Sequence, residues 1–238
     1  MPWEVRVTGP QAVISELASD LRQNNDPLVR RDGDHLVLSS PRFDELSDAN
    51  SVREQAQSVV AALSGISRML LQSSGPLTVM SVTELRPDGS SGVFIQIEGE
   101  VLKIGQGRVF PSVTHADGTV EEHRPLDPVR HLLSRAWRDP AAARALRLRS
   151  EGTLSWSSLY RLYEVIEEAV GGEDAIVSAQ WSSRTMLTRF TRSANSVAAA
   201  GDDARHGVER AEPPPKPLTL EEARALIDGL LQAWLGGA

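Results

Sequence analysis

The stretch ANSVAAAGDDARHG, residues 194–207, places Asp202, Asp203, Arg205 and His206 within five positions. Such a set could move protons and hold an anion. A histidine with a carboxylate and a cation close by can serve as general acid or base. An arginine beside it can grip a phosphate through paired hydrogen bonds. His206 is therefore the candidate catalytic residue, with Arg205 as its companion. The same residues also suit a capped connection between helices. Asn195 can hold a turn through its amide, Gly201 permits a left-handed backbone, and Asp202 can cap a short helical turn carrying Asp203. In this second reading Asp202 or Asp203 pairs with Arg205 or Arg192 and fastens the loop. The residues leave both readings open.

Arginine is concentrated in the same half of the chain. Six occur between Pro128 and Ser150 (Arg130, Arg135, Arg138, Arg144, Arg147 and Arg149) against one acid, Asp139. Arg184, Arg189 and Arg192 then recur at roughly helical spacing with no acid among them. Such a surface could take RNA, a nucleotide phosphate or an acidic partner. Arg189 and Arg192, with Asn195, Asp202 and Asp203, form the candidate binding set. The alternative is pairing with acids of the N-terminal half or with Glu164, Glu167 and Glu168. Few aromatic residues interleave with the arginines, so stacking on single-stranded bases has little support.

Other chemistry is thinly represented. HADGTVEEH contains His115, Asp117, Glu121, Glu122 and His123, a set able to supply nitrogen and oxygen ligands. Asp117-Gly118 reads as a hairpin tip, however, where such side chains are simply solvated, and no metal site is expected. KIGQGRVF has Gly105 and Gly107 without the third glycine or lysine of a phosphate-cradling loop, and no cofactor is expected. His131, beside Leu132 and Leu133, reads as a packed helical residue. There is no nucleophile elbow, H-E-x-x-H zinc motif or kinase set. The chain has no cysteine, which excludes thiolate catalysis and sulfur-ligated metal centres.

The elements that must position these residues fall into two kinds. WEVRVTG alternates as a strand, and PQAVISELASDLRQ follows at helical spacing. PLVRRDGDHLVLSS reads as two strands joined at Asp32-Gly33, and DANSVREQAQSVVAALSGISRMLLQ as a long helix. PLTVMSVTELR, GVFIQIEGEVLKI and GRVFPSVTHA then suggest an antiparallel meander. From Asp127 onward the pattern is helical. Asp-Pro opens two helices, and SWSSLYRLYEVIEEAVGG carries Leu159, Leu162, Tyr163, Ile166, Ala169 and Val170 on one stripe. SAQWSSRTMLTRFTRSA reads as one further helix. After the stiff connector ERAEPPPKP, Thr219 and Glu222 form a capping box ahead of a last amphipathic helix.

At 238 residues, 40% hydrophobic and 24% charged, the chain has the composition of a globular protein. A net charge of −7 disfavours indiscriminate nucleic-acid binding. The opening MPWEVRVTGP lacks an apolar core, and no stretch reaches the roughly 20 apolar residues of a membrane span. The expectation is a cytoplasmic protein without a membrane partner.

The run LYRLYEVIEEAVGG … RFTRSANSVAAAGDDARHG … PLTLEEARALIDGLLQAWL resembles the C-terminal region of a group of uncharacterised bacterial proteins whose helical domain is HEPN-like. That family occurs in toxins, phage-defence proteins and accessory proteins. The resemblance spans about residues 127–235 and implies a compact, often dimeric helical bundle. In active members it implies an RNA-cleaving arginine followed a few residues later by a histidine. His206 and Gly207 match the histidine end. At the arginine end stand Ala199, Ala200 and Gly201, with Arg205 too close and Arg192 too far. The resemblance with this departure implies a non-catalytic or divergent member.

The sequence thus predicts an α+β protein. Residues 1–126 form a mixed domain with antiparallel strands, and residues 127–238 form an all-α, HEPN-like bundle. The expected role is non-catalytic binding or regulation in the bacterial cytoplasm, in phage defence or a toxin-type system. Two alternatives stand beside it: a metal-independent HEPN-type ribonuclease using His206, and a structural protein-interaction module. Expected partners are a protein or second copy of the chain, and RNA or a nucleotide at the arginine-rich helical surface.

Overall fold

Strand β1 (Trp3–Thr8) buries Trp3, Val5 and Val7 while Glu4 and Arg6 stay half-exposed, as a period of two requires of a sheet with one covered face. The structure, a computed structural model, describes residues 2–71, 75–86, 91–95, 112–114, 120–122, 128–206, 208 and 212–236, with the backbone alone for 95, 112–114 and 120–122. The chain divides into two compact units, Met1–Arg135 and Ala136–Ala238. The division falls inside a helix, nine residues beyond the boundary read from sequence.

In the first unit, α1 (Gln11–Asp20) follows β1 and buries Val13, Ile14 and Leu17. β2 (Leu28–Asp32) and β3 (His35–Ser39) pair with Asp32 opposite His35, leaving a two-residue turn. Gly33 supplies the positive φ of 59° that this turn demands. A short helix α2 (Pro41–Asp44), not read from sequence, is started by Ser40, whose hydroxyl accepts from the Arg42 amide, with Pro41 in its first turn. The long helix α3 (Ala49–Leu71) is capped by Asp48, which accepts from the amides of Asn50 and Ser51 and from the Ser51 hydroxyl. These bonds hold the Asp48 carboxyl below its ordinary range, the Ser51 hydroxyl contributing most.

β4 (Thr78–Leu85) and β5 (Ser91–Ile95) complete an antiparallel sheet of order β2-β3-β1-β4-β5. β6 (Ser112–Thr114) and β7 (Val120–Glu122) pair in a separate sheet. β4 and β5 pair as consecutive antiparallel strands, as the meander expects, and extend the first sheet beside β1, while most of GVFIQIEGEVLKI and GRVFPSVTHA lies outside the described residues. α1 packs on β2 and β3, and α3 on β1 and β4. Buried Ser64 accepts from the Leu77 amide at 3.1 Å, and buried Ser67 donates to the Leu63 carbonyl. On the alternate face of β1, Arg30 pairs with Glu4 at 3.0 Å and Arg6 with Asp32.

Helix α4 (Pro128–Arg138) carries the division between the units. Beyond it the described residues of the second unit form helices and connecting loops, with no strand among them. α5 (Pro140–Ser150) is capped by Asp139, which accepts from the Ala141 and Ala142 amides. α6 (Trp156–Val170) starts at Ser155 and ends where Gly171 and Gly172 take φ of 91° and 107°. It buries Leu159, Leu162, Tyr163, Val165 and Ile166, whereas Ala169 is exposed and Val170 half-exposed, so the stripe ends a turn earlier than predicted.

The helix expected over SAQWSSRTMLTRFTRSA begins only at Arg184, residues 179–183 forming a turn, and a short helix not read from sequence precedes it. α7 (Glu173–Ser178) stops as Gln180 adopts a φ of 60°, and α8 (Arg184–Asn195) restarts when the Ser183 hydroxyl accepts from the Met186 amide. A short turn α9 (Val197–Ala200) follows. The last helix, α10 (Leu220–Gly236), buries Ala223, Ile227, Leu230, Leu231, Trp234 and Leu235, and packs on α6. Thr219 and Glu222 form the capping box: the Thr219 amide donates to Glu222 at 2.8 Å and the Glu222 amide to the Thr219 hydroxyl at 3.2 Å. Arg149 grips Asp228 with two bonds of 2.7 and 3.2 Å, and Arg224 donates twice to the Leu154 carbonyl.

Candidate functional site

The loop that carries His206 is built from its small residues outward. Ser196 is fully buried, and its hydroxyl accepts from the Ala199 amide, which starts α9. Gly201, with φ of 64°, then turns the chain into a 3-10 turn holding Asp202 and Asp203, both exposed. At Ala204 the backbone becomes extended, and the Arg205 amide donates to the Ala194 carbonyl at 2.9 Å. The loop thus closes back on the end of α8.

That closure aims Arg205 at α6. Its Nη2 donates to Glu164 Oε1 at 2.7 Å, and its Cζ lies 4.1 Å from the centroid of the Tyr160 ring. Glu164 and Tyr160 are one helical turn apart on α6, so they present a carboxylate and a π face side by side. Tyr160 in turn stacks on Phe190 of α8 at 6.1 Å, and Phe190 meets Tyr163 edge-on at 5.5 Å and Trp156 at 6.3 Å. Arg205 therefore tops a column of rings that joins α6 to α8. The expected pairing of Asp202 or Asp203 with Arg205 or Arg192 is corrected. The 3-10 turn keeps both aspartates facing solvent, and the reversal at Ala204 delivers Arg205 to Glu164 instead.

His206 is half-buried and makes no hydrogen bond or ion pair among the described residues. Gly207 lies outside the described residues. Asn195 donates its amide to the Thr191 carbonyl at 2.8 Å, so it secures the last turn of its own helix, and its Oδ1 is buried without a partner. The loop cap is Ser196, not Asn195.

Acids gather near the ring column. Glu167 is pushed above the ordinary carboxylate range, first by burial and then by Glu173 and Glu164. The Tyr163 hydroxyl is likewise raised well above its usual value, chiefly by burial, with Glu167 and Glu173 adding to it.

The remaining arginines of α8 behave differently from Arg205. Arg184 pairs with Asp174 and Glu173 of α7. Arg189 donates to the Lys216 carbonyl and, at 3.3 Å, to that of Pro217. Arg192 donates to the carbonyl of Glu212 at 3.0 Å and more weakly to that of Pro213. These two guanidiniums hold the proline-rich segment 212–217 across α8 as a strap. Their acceptors are uncharged carbonyls, which do not offset the guanidinium charge. The carboxylate that feels Arg189 is Glu222. Its pKa is held down mainly by the Thr219 amide and hydroxyl, with Arg189 a small contributor.

Between α8 and the strap lies a groove of about 530 Å³. Arg189, Arg192 and Lys216 line it with the hydroxyl-bearing Thr185 and Thr188, and Pro214 and Pro215 form its apolar side. Of the predicted binding residues, then, Arg189 and Arg192 meet in one groove, while Asn195, Asp202 and Asp203 do not line it. Lys216 and the prolines were read only as a connector. Nothing local marks them as a wall, because their role follows from the strap folding back over a helix more than twenty positions upstream.

Among the described residues no group of three or more metal-ligating side chains occurs, and no helix is long and apolar enough to cross a membrane. Of the metal-ligating candidates, His115, Asp117 and His123 lie outside the described residues, as do the side chains of Glu121 and Glu122; Gly105 and Gly107 lie outside them as well. Comparison with family models, with curated proteins and with solved structures finds no match to this chain.

Proposed function

We propose that the chain is a non-catalytic binding protein whose helical unit takes an anionic partner along α8. The contrast among its arginines carries this reading. Arg205 commits its charge to Glu164 and its face to Tyr160, while Arg189 and Arg192 meet only neutral carbonyls and open on a groove. A ribonuclease site built on His206 needs a free cation beside it to hold the scissile phosphate, and the neighbouring arginine is occupied. The HEPN-like character of the helical unit, and a regulatory place in phage defence or a toxin-type system, rest on the sequence resemblance.

The test is binding and cleavage of a short single-stranded RNA by the full chain. The expected result is salt-dependent binding, weakened by Arg192→Gln, with no cleavage in wild type or His206→Ala. Cleavage that disappears in His206→Ala would overturn the reading in favour of the nuclease.

A further inference from the structure

Resting on that binding reading, we infer that the groove between α8 and residues 212–217 is a site for a small organic phosphate with an apolar flank. Its size comes first: about 530 Å³ falls within the roughly 300–1,000 Å³ typical of small-molecule pockets. Its charge comes next. Among the described residues no carboxylate lines it, and the cations that do are of two kinds. Arg184 is already neutralised by Asp174 and Glu173. Arg189, Arg192 and Lys216 have no carboxylate partner among the described residues. In an acidic chain of net charge −7, three cations without an ion pair among the described residues, of which only Arg189 feels a carboxylate, Glu222, and that weakly, mark this concavity as a place for an anion.

The donors are also held in position. A guanidinium carries five N–H donors in a fixed fork. Arg189 and Arg192 each use part of the fork on strap carbonyls, which fixes the plane and leaves further N–H groups for a ligand. On a helix rising about 1.5 Å per residue, the backbones of these two residues lie about 4.5 Å apart along the axis, so both side chains leave α8 on the side of the groove they line. The Thr188 hydroxyl, one position before Arg189 on the same exposed stretch, adds a donor without charge.

The opposite side of the groove sets the rest of the ligand. Pro214 and Pro215 have no N–H and present rings alone, so the part of the ligand away from the phosphate gains most from being apolar. Among the described residues no aromatic side chain lines the groove, and the ring column of α6 and α8 is spent on its own packing. Successive bases of a nucleic-acid strand have no platform here, so an RNA strand gains nothing in this groove beyond its phosphate contacts.

The experiment is calorimetric titration of the full chain in low salt with phenyl phosphate, inorganic phosphate and a short single-stranded RNA. Circular dichroism confirms that each variant is folded. Phenyl phosphate is expected to bind more tightly than inorganic phosphate, and Arg192→Gln to weaken it about tenfold, a charge-assisted pair being lost. Lys216→Ala, whose side chain holds no strap bond, is expected to weaken it several-fold without changing the melting temperature. Equal affinity for the two phosphates, or no effect of Lys216→Ala, overturns the assignment. RNA binding without phenyl phosphate binding also overturns it, but leaves the binding reading standing. Failure of all three ligands to bind removes both.

Discussion

At the scale of single residues, charge placement decides what Arg205 and Glu167 do. Arg205 is held by a carboxylate and a ring, and both partners are partly exposed, at 35% for Arg205 and 45% for Glu164. An exposed pair contributes modestly and a cation over a ring a similar amount. Arg205→Ala is accordingly expected to cost about 1 kcal/mol in urea unfolding, with Arg205→Lys recovering part of it. A neutral result would detach the loop from α6. Glu167 works in the opposite sense. Its folded pKa is raised, so the folded state holds the proton more tightly than the unfolded chain does. That contribution favours folding below the ordinary carboxylate pKa and is lost as pH rises through the raised value. Glu167→Gln is therefore expected to raise the melting temperature at pH 7 and to match wild type below about pH 4. The sequence showed Arg205 and His206 as neighbours and left the arginine's partner open. Glu164 lies 41 positions upstream, and only the packing of α6 against α8 brings it near.

Elements were legible where their signals are local. Asp139-Pro140 starts α5, the two glycines close α6, and Thr219 with Glu222 opens α10, each through bonds spanning a few positions. The cap of α10 should be energetically visible. Thr219→Ala is expected to lower stability by about 1 kcal/mol, seen as a lower urea midpoint at unchanged slope, with Thr219→Ser close to wild type. The carboxylate of that cap also titrates with its own sign. Glu222 is held below its ordinary range, so its contribution is present above that range and lost as pH falls through the lowered value. Elements were misread where the determinant is conformational. The break between α7 and α8 turns on a positive φ at Gln180, a residue without special preference for it. The central place of β1 was illegible for another reason: strand neighbours are chosen by the whole sheet, and alternation within WEVRVT says nothing about who pairs with it.

For the whole molecule, the division into a sheet-bearing unit and a helical unit follows from the change of hydrophobic period near Asp127, which the sequence displays openly. The candidate groove was half legible. Its arginines recur at helical spacing, but its proline wall arrives from a strap that the sequence presents only as a connector. The bonds that close the helical unit have a kinetic consequence. Arg149 meets Asp228 across 79 positions and Arg224 meets Leu154 across 70, so α10 must be made before either can form. Contacts of such span are entropically slow to close. Asp228→Ala leaves Arg149, only 14% exposed, without its carboxylate. It is expected to cost about 2 kcal/mol, appearing as faster unfolding with little change in refolding rate in stopped-flow measurements. A growing chain would leave the side of α6 on which α10 packs open until α10 follows. The helical unit is thus most exposed to aggregation and proteolysis late in its synthesis, and its final helix acts as the latch that ends that interval.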